Sequence, residues 1–228
     1  MNKLIKIVSV LAVLTGLSMT PLMADSSDFA GAYIGITSSA VGVELDGKHT
    51  SAADDVGEVT TGVAGRVAAI AGAEIGYAIP ISDTVLIDIG ASYYSGEAKI
   101  TSSNTDTSAT ADVTFAMDNL MLAYIAPTFA VSDTASIYLK VGVVEAETST
   151  TGDVTQPSDL SGTLIGVGSR SLLGNGMFIR TEAGMIDFDN ISVTGKGAGG
   201  TGKTIGTTST VSADPLVAYG SVSIGYKF

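Results

Sequence analysis

Beyond its first thirty residues the chain is built from segments of about ten residues that alternate apolar with polar or glycine positions. Stretches rich in Gly, Ser, Thr and Asp separate them, and no later segment carries an apolar stripe at helical spacing. A period of two places residues i and i+2 on one face of a strand, so the pattern dictates a β architecture. The last segment is the clearest: Leu216, Ala218, Gly220, Val222, Ile224, Tyr226 and Phe228 share one face, opposite Ser221, Ser223, Gly225 and Lys227. Val67, Ala69, Ala71, Ala73, Ile75, Tyr77 and Ile79 alternate with Arg66, Ala68, Gly72, Glu74 and Gly76. The same holds for Val85–Tyr93 around Asp88, Gly90 and Ser92, for Ser136–Val143 around Tyr138 and Lys140, and for Phe178–Met185 around Arg180 and Glu182.

Periodicity leaves two architectures open. A soluble sandwich would turn the apolar face inward, whereas an outer-membrane barrel would turn it to lipid and the charges to the lumen. The connections favour the barrel. Pro80–Thr84, Val131–Thr134 and Leu173–Gly176 read as short turns, and between them lie long polar stretches at Glu44–Gly62, Ala98–Asp112, Glu147–Ser161 and Thr194–Asp214. Three short turns alternating with four long loops predict an up-and-down antiparallel barrel of eight strands, with the short turns on one rim. Composition agrees: hydrophobic residues make up 45% of the chain, and charged residues only 15% against about a quarter in soluble domains.

The amino terminus reads as an export signal, predicting residues 1–24 as a leader and 25–228 as the barrel domain. Lys3 and Lys6 precede the apolar stretch Ile7–Leu17, and Ala24 supplies a small residue for cleavage. The alternative, a membrane-anchoring helix, needs an apolar run of about 20 residues. The formal charge of −12 becomes −14 once Met1–Ala24 is removed, because two lysines and no acid leave with it. Such acidity argues against nucleic acid as a partner, since phosphates demand a basic face. The chain has no cysteine, which excludes disulfides, thiol chemistry and Cys-ligated zinc. Beside an export signal, that absence suits a bacterial envelope protein.

A family resemblance rests on particular residues. Gly225-Tyr226-Lys227-Phe228, ending on an aromatic, resembles the carboxy-terminal signature of bacterial outer-membrane barrels. Phe29-Ala30-Gly31-Ala32-Tyr33-Ile34-Gly35 resembles the first strand of small barrels of the OmpA transmembrane-domain and opacity-protein type. Ala73-Glu74-Ile75-Gly76-Tyr77 and Tyr138-Leu139-Lys140-Val141-Gly142 resemble their inner strands. The resemblance implies residence in the outer membrane of a Gram-negative bacterium, contact with its lipid, and recognition of Tyr226 and Phe228 by the barrel-assembly machinery. It also implies a monomer, with any extracellular ligand of the loops left open. There are two departures. The chain has no tryptophan, so an aromatic girdle would draw on its 6 Phe and 8 Tyr. No peptidoglycan-binding domain follows the barrel, so the anchoring role of two-domain relatives does not transfer.

Motifs that carry chemistry are few. Gly197-Ala198-Gly199-Gly200-Thr201-Gly202-Lys203-Thr204 matches the phosphate-binding pattern, but the following Gly/Ser/Thr-rich run up to Pro215 offers no helix to receive a phosphate. His49 is the sole histidine, with Ser51, Asp54 and Asp55 nearby in a polar loop, and no second element fixes a catalytic geometry around it. One imidazole cannot build a His-ligated metal site, and Asp46, Asp54, Asp55 and Glu58 lack calcium-loop spacing. The expectation is a protein that is not an enzyme and holds no cofactor and no metal.

The inward-assigned charges are more informative: Arg66, Lys140, Arg170 and Arg180 against Glu74, Asp88 and Glu182. Four positive and three negative charges in one lumen read as an ion-paired plug, or as a charged constriction that selects ions. An eight-stranded barrel is just wide enough for its own side chains to fill, which favours the plug. The expected function is a structural or surface-interaction barrel that displays acidic Ser/Thr/Gly-rich loops, with a narrow porin-like channel for small solutes or ions as the alternative.

Overall fold

The computed structural model describes residues 24–50, 59–102, 113–151, 157–194 and 210–228. The expected leader up to Met23 and the phosphate-loop-like stretch 197–204 lie outside them. The described residues form ten strands: β1 (Gly31–Thr50), β2 (Val59–Pro80), β3 (Val85–Ser95), β4 (Ala98–Ser102), β5 (Val113–Ser132), β6 (Ala135–Thr151), β7 (Leu160–Gly174), β8 (Met177–Phe188), β9 (Ile191–Thr194) and β10 (Thr210–Lys227). All join one antiparallel sheet, and β1 pairs with β10 from Tyr33↔Lys227 to Thr50↔Thr210, which closes it into a barrel. β4 continues the β3 stave after Gly96, and β9 continues β8 after Asp189 and Asn190, so the ten strands make the eight staves predicted. Closure leaves the membrane-embedded wall no open edge, as a sheet in lipid requires. Among the described residues no helix is long and apolar enough to cross a membrane; the chain crosses with strands.

The short connections fall where the sequence puts them, and the long ones do not. Asn175 (φ 52°) and Gly176 (φ 79°) form a two-residue turn between β7 and β8 in the left-handed conformation that hairpins favour. By contrast β1 pairs with β2 out to Thr50↔Val59, well inside the stretch read as loop Glu44–Gly62. β4, β6 and β10 likewise lie in or extend into predicted loops, with Ser102↔Val113, Thr114↔Thr151 and Val211↔Val193 as registered pairs. β1 and β2 contain 20 and 22 residues, whereas about 9–11 suffice to cross hydrocarbon. The surplus projects from the long-loop rim. There hydrophobic alternation fades from the sequence, while the backbone ladder and its β-branched Thr and Val residues persist. His49, read as a loop residue, lies in β1 opposite Thr60 and Val211.

Inside and outside are inverted relative to a soluble protein. Ile36 (70%), Val143 (63%), Ile75 (61%) and Ile89 (49%) are exposed on the outer wall, while Glu74, Asp88, Lys140, Arg170, Arg180 and Glu182 are buried within. The aromatic residues divide differently from the girdle expected. Tyr33, Tyr94, Tyr124, Tyr138, Phe29, Phe115, Phe178 and Phe188 are buried inside, leaving Tyr77, Tyr93, Tyr226 and Phe228 among the exposed residues. The reason is space. Inward glycines leave room for rings lying across the wall: Tyr33 over Gly76, Tyr124 over Gly90, Tyr138 over Gly168 and Phe178 over Gly225. A Cβ at any of these glycines would collide with the ring above it.

The interior is stratified from the short-turn rim, which faces the periplasm in such barrels. At that rim Phe29, Ala78, Leu86 and Ala130 form an apolar collar with Ala24, flanked by Leu172. Phe29 comes from a short 3-10 turn, Ser26–Phe29, capped by Asp25, whose side chain accepts the Ser27 N–H at 2.8 Å. That hydrogen bond holds the Asp25 carboxyl below the usual carboxylate range. Above the collar lies the charge layer, and above that a second apolar cluster that includes Val41, Val43, Ile70, Leu122, Leu164, Ile186 and Val217. This upper cluster corrects the picture of an inner face holding only charges and glycines. Around Val41–Val43 and Leu120–Leu122 both faces are apolar, so alternation alone does not reveal which residue points inward.

Candidate functional site

The charge layer draws its six charged side chains from five strands, β2, β3, β6, β7 and β8. Period two on β8 sends Arg180 and Glu182 inward together, and β2, β3, β6 and β7 contribute Glu74, Asp88, Lys140 and Arg170. Arg180 is the hub. Its Nη1 donates to Glu74 Oε2 at 2.9 Å, to the Tyr124 hydroxyl at 3.2 Å and to the Tyr33 hydroxyl at 3.5 Å; Nη2 donates to Asp88 Oδ2 at 2.7 Å. Arg170 Nη2 reaches the same Asp88 oxygen at 2.6 Å. The Tyr33 hydroxyl donates to the other Asp88 oxygen, Oδ1, at 2.5 Å. One carboxylate thus serves two guanidinium groups, which is workable because each of its oxygens can accept more than one hydrogen bond.

A second set adjoins it. Lys140 Nζ lies 2.5 Å from Glu182 Oε2. That carboxylate also accepts the hydroxyls of Tyr138 at 2.8 Å and Tyr219 at 2.7 Å. Lys140 Nζ sits 4.2 Å from the centre of the Tyr124 ring, and the Arg170 guanidinium carbon 4.5 Å from that of Tyr33. The rings therefore act twice, as hydroxyl donors and as cation-binding faces. All six charged side chains are no more than 4% exposed. Charges taken this far out of water persist only when paired and hydrogen-bonded.

Of the seven charged residues read as lumenal, the structure brings six together and leaves Arg66 apart. Arg66 shares the inward parity of Glu74, yet it is exposed and has no ion pair among the described residues. It lies eight residues further up β2, about 26 Å along the strand, where the stave projects beyond the charge layer. Without it the layer holds three cations and three anions and is neutral. Sequence reasoning missed the tyrosines that complete the network. Tyr138 stood on the assigned inner face, and the parity of Tyr33 against Ile34 marks it likewise, but only the assembled barrel brings their hydroxyls to the carboxylates. Tyr226 and Phe228 lie at the periplasmic rim with ring centres 5.3 Å apart, and the Phe228 N–H donates to the Ala32 carbonyl at 2.9 Å. Among the described residues no group of acids or histidine has the clustering of a metal site.

A closed antiparallel barrel with an apolar outer wall and ion pairs inside defines an integral outer-membrane β-barrel. The chain belongs to the family described as Outer membrane protein beta-barrel domain, whose model matches residues 9–213, and its place is the Gram-negative outer membrane. Among solved structures, the outer membrane protein OprG from Pseudomonas aeruginosa superposes with a TM-score of 0.55 at 13% identity, covering 87% of this chain and 97% of that one. Ail, the attachment invasion locus protein of Yersinia pestis, gives 0.41 at 11% identity over 85% of this chain and 99% of its own. The outer membrane protein AlkL gives 0.49 at 16% identity over 87% and 92%. At such identities the likeness to OprG is one of fold. No curated protein matches the sequence.

Proposed function

We propose that this barrel is a non-conducting, non-enzymatic outer-membrane scaffold, a monomer in lipid that presents its acidic Ser/Thr/Gly-rich loops to the exterior. The observation that carries the reading is the charge layer, in which three cations and three anions pair across the lumen with an apolar stratum on each side. A filter that passes ions must let them bind and leave, which requires hydrated, unpaired field sources along an open path. Here the cations are committed to carboxylates and aromatic faces. The test is conductance of the purified protein in planar lipid bilayers. Only the baseline of the empty membrane is expected, and sustained ion-selective current would replace this reading with the narrow-channel alternative.

The same reading assigns the carboxy terminus to assembly. The Phe228 side chain is 71% exposed and stacks edge-on against Tyr226 at the rim, so it adds little to the barrel's own packing and is free to be read by the barrel-assembly machinery. Deleting Phe228 is expected to lower outer-membrane levels severely while leaving export to the periplasm intact, as fractionation would show. Wild-type levels in that fraction would remove the assembly role.

A further inference from the structure

We propose that the amino-terminal segment Asp25–Ala30 is a stopper that closes the periplasmic mouth of the barrel to solutes, a device that rests on the closed lumen proposed above and extends it. The segment pairs with no strand, yet it is tied to three separate parts of the rim. The Ser26 N–H donates to the Asp83 carbonyl at 2.6 Å, and Ser26 Oγ donates to the Ser82 carbonyl at 2.6 Å, both in the β2–β3 turn. Lys227 Nζ, at the end of β10, donates to the Asp28 carbonyl at 2.6 Å. From within the lumen, Arg170 Nη1 reaches the Phe29 carbonyl at 3.5 Å.

These ties place the Phe29 ring in the mouth, fully buried against Ala78, Leu86 and Ala130. Ser136 is 0% exposed, and Arg170, which donates to the Phe29 carbonyl, is 2% exposed, although both stand near the open end of the β6–β7 pair, where Ser136 faces Arg170 across the ladder. Burial that complete at the rim needs a cover, and Phe29 supplies it. The junction is built to bend. Gly31 has a φ of 112°, and a Cβ there would lie 3.0 Å from the Phe228 carbonyl oxygen, so the chain turns sharply between stopper and β1 at a residue only glycine fills easily. A few hydrogen bonds and one ring, with no ladder, make a unit that can open without unzipping the wall.

The chain has no cysteine, so a single introduced thiol reports access cleanly. Ser136→Cys is nearly isosteric and sits behind the collar, and Thr134→Cys in the exposed β5–β6 turn is the control. A charged methanethiosulfonate is expected to modify S136C about 100-fold more slowly than T134C in the folded protein, and adding Phe29→Ala should remove most of that protection. Gel mobility before and after heating checks that each variant is folded. Should F29A fail to fold, the pair Ser26→Gly and Lys227→Ala, which loosens the anchors and spares the ring, must give the same acceleration. Labelling of S136C as fast as T134C would overturn the stopper, and so would protection unchanged in every folded variant. Wild-type conductance separates the two readings. Sustained current would refute the closed charge layer and the stopper together, whereas rapid labelling of S136C without current would refute the stopper alone.

Discussion

Arg180→Ala is expected to be among the most damaging single substitutions in this barrel, costing about 3–5 kcal/mol, because removing one partner from a buried ion network strands the others. Two carboxylates lose a partner at once: Glu74, which sits 2.9 Å from Nη1, and Asp88, which sits 2.7 Å from Nη2 and keeps Arg170 and the Tyr33 hydroxyl. The hydroxyls of Tyr33 and Tyr124 lose a donor as well. Urea unfolding of the detergent-folded protein should show a large fall in midpoint, with no conductance gained in bilayers. Glu74→Gln in the Arg180→Ala background should cost much less than it does alone, since the charge left unpaired is then neutralised. An unchanged urea midpoint would mean that Arg180 stands hydrated in an open lumen.

Ile75→Arg probes the opposite face of the same stave. Ile75 is 61% exposed on the outer wall and neighbours Glu74, whose side chain is buried inside. A guanidinium on the lipid side costs about 2–4 kcal/mol near the bilayer midplane and falls toward zero at the interfaces. Reversible unfolding from lipid vesicles should register that loss, while Ile75→Leu should be nearly neutral. The magnitude also gauges depth: a cost well under 1 kcal/mol would put Ile75 at the membrane boundary instead of in the hydrocarbon. Equal tolerance of arginine at Ile75, Ile89 and Val143 would overturn the assignment of the outer wall to lipid.

Much of the architecture is legible in the chain because membrane and lumen impose opposite demands on alternate residues. Wherever a lone charge marks the phase, as at Glu74, Asp88, Lys140 and Arg180, parity separates wall from lumen and the short turns count the staves. The same logic fails where its physical cause is missing. Toward Thr50 and Val59 the strands keep their pairing but lose hydrophobic alternation, and so read as loops. Near Val41 and Leu122 both faces are apolar, which conceals the upper cluster.

The sequence by itself therefore determined the strand type, the direction of each marked face and the presence of inward charges. Local side-chain period is a property of consecutive residues, and lipid selects it directly. Which charges meet was decided only by closure. Arg180 reaches Glu74 across 106 positions and Asp88 across 92, and strand register and shear fix those encounters. The same closure excluded Arg66, which has the right parity at the wrong height. It also brought tyrosines from β1, β6 and β10 onto the carboxylates of Asp88 and Glu182 and one from β5 onto Arg180, and it folded Phe29 back under the mouth. No periodicity along the chain encodes these contacts, because each depends on the height at which two distant strands meet.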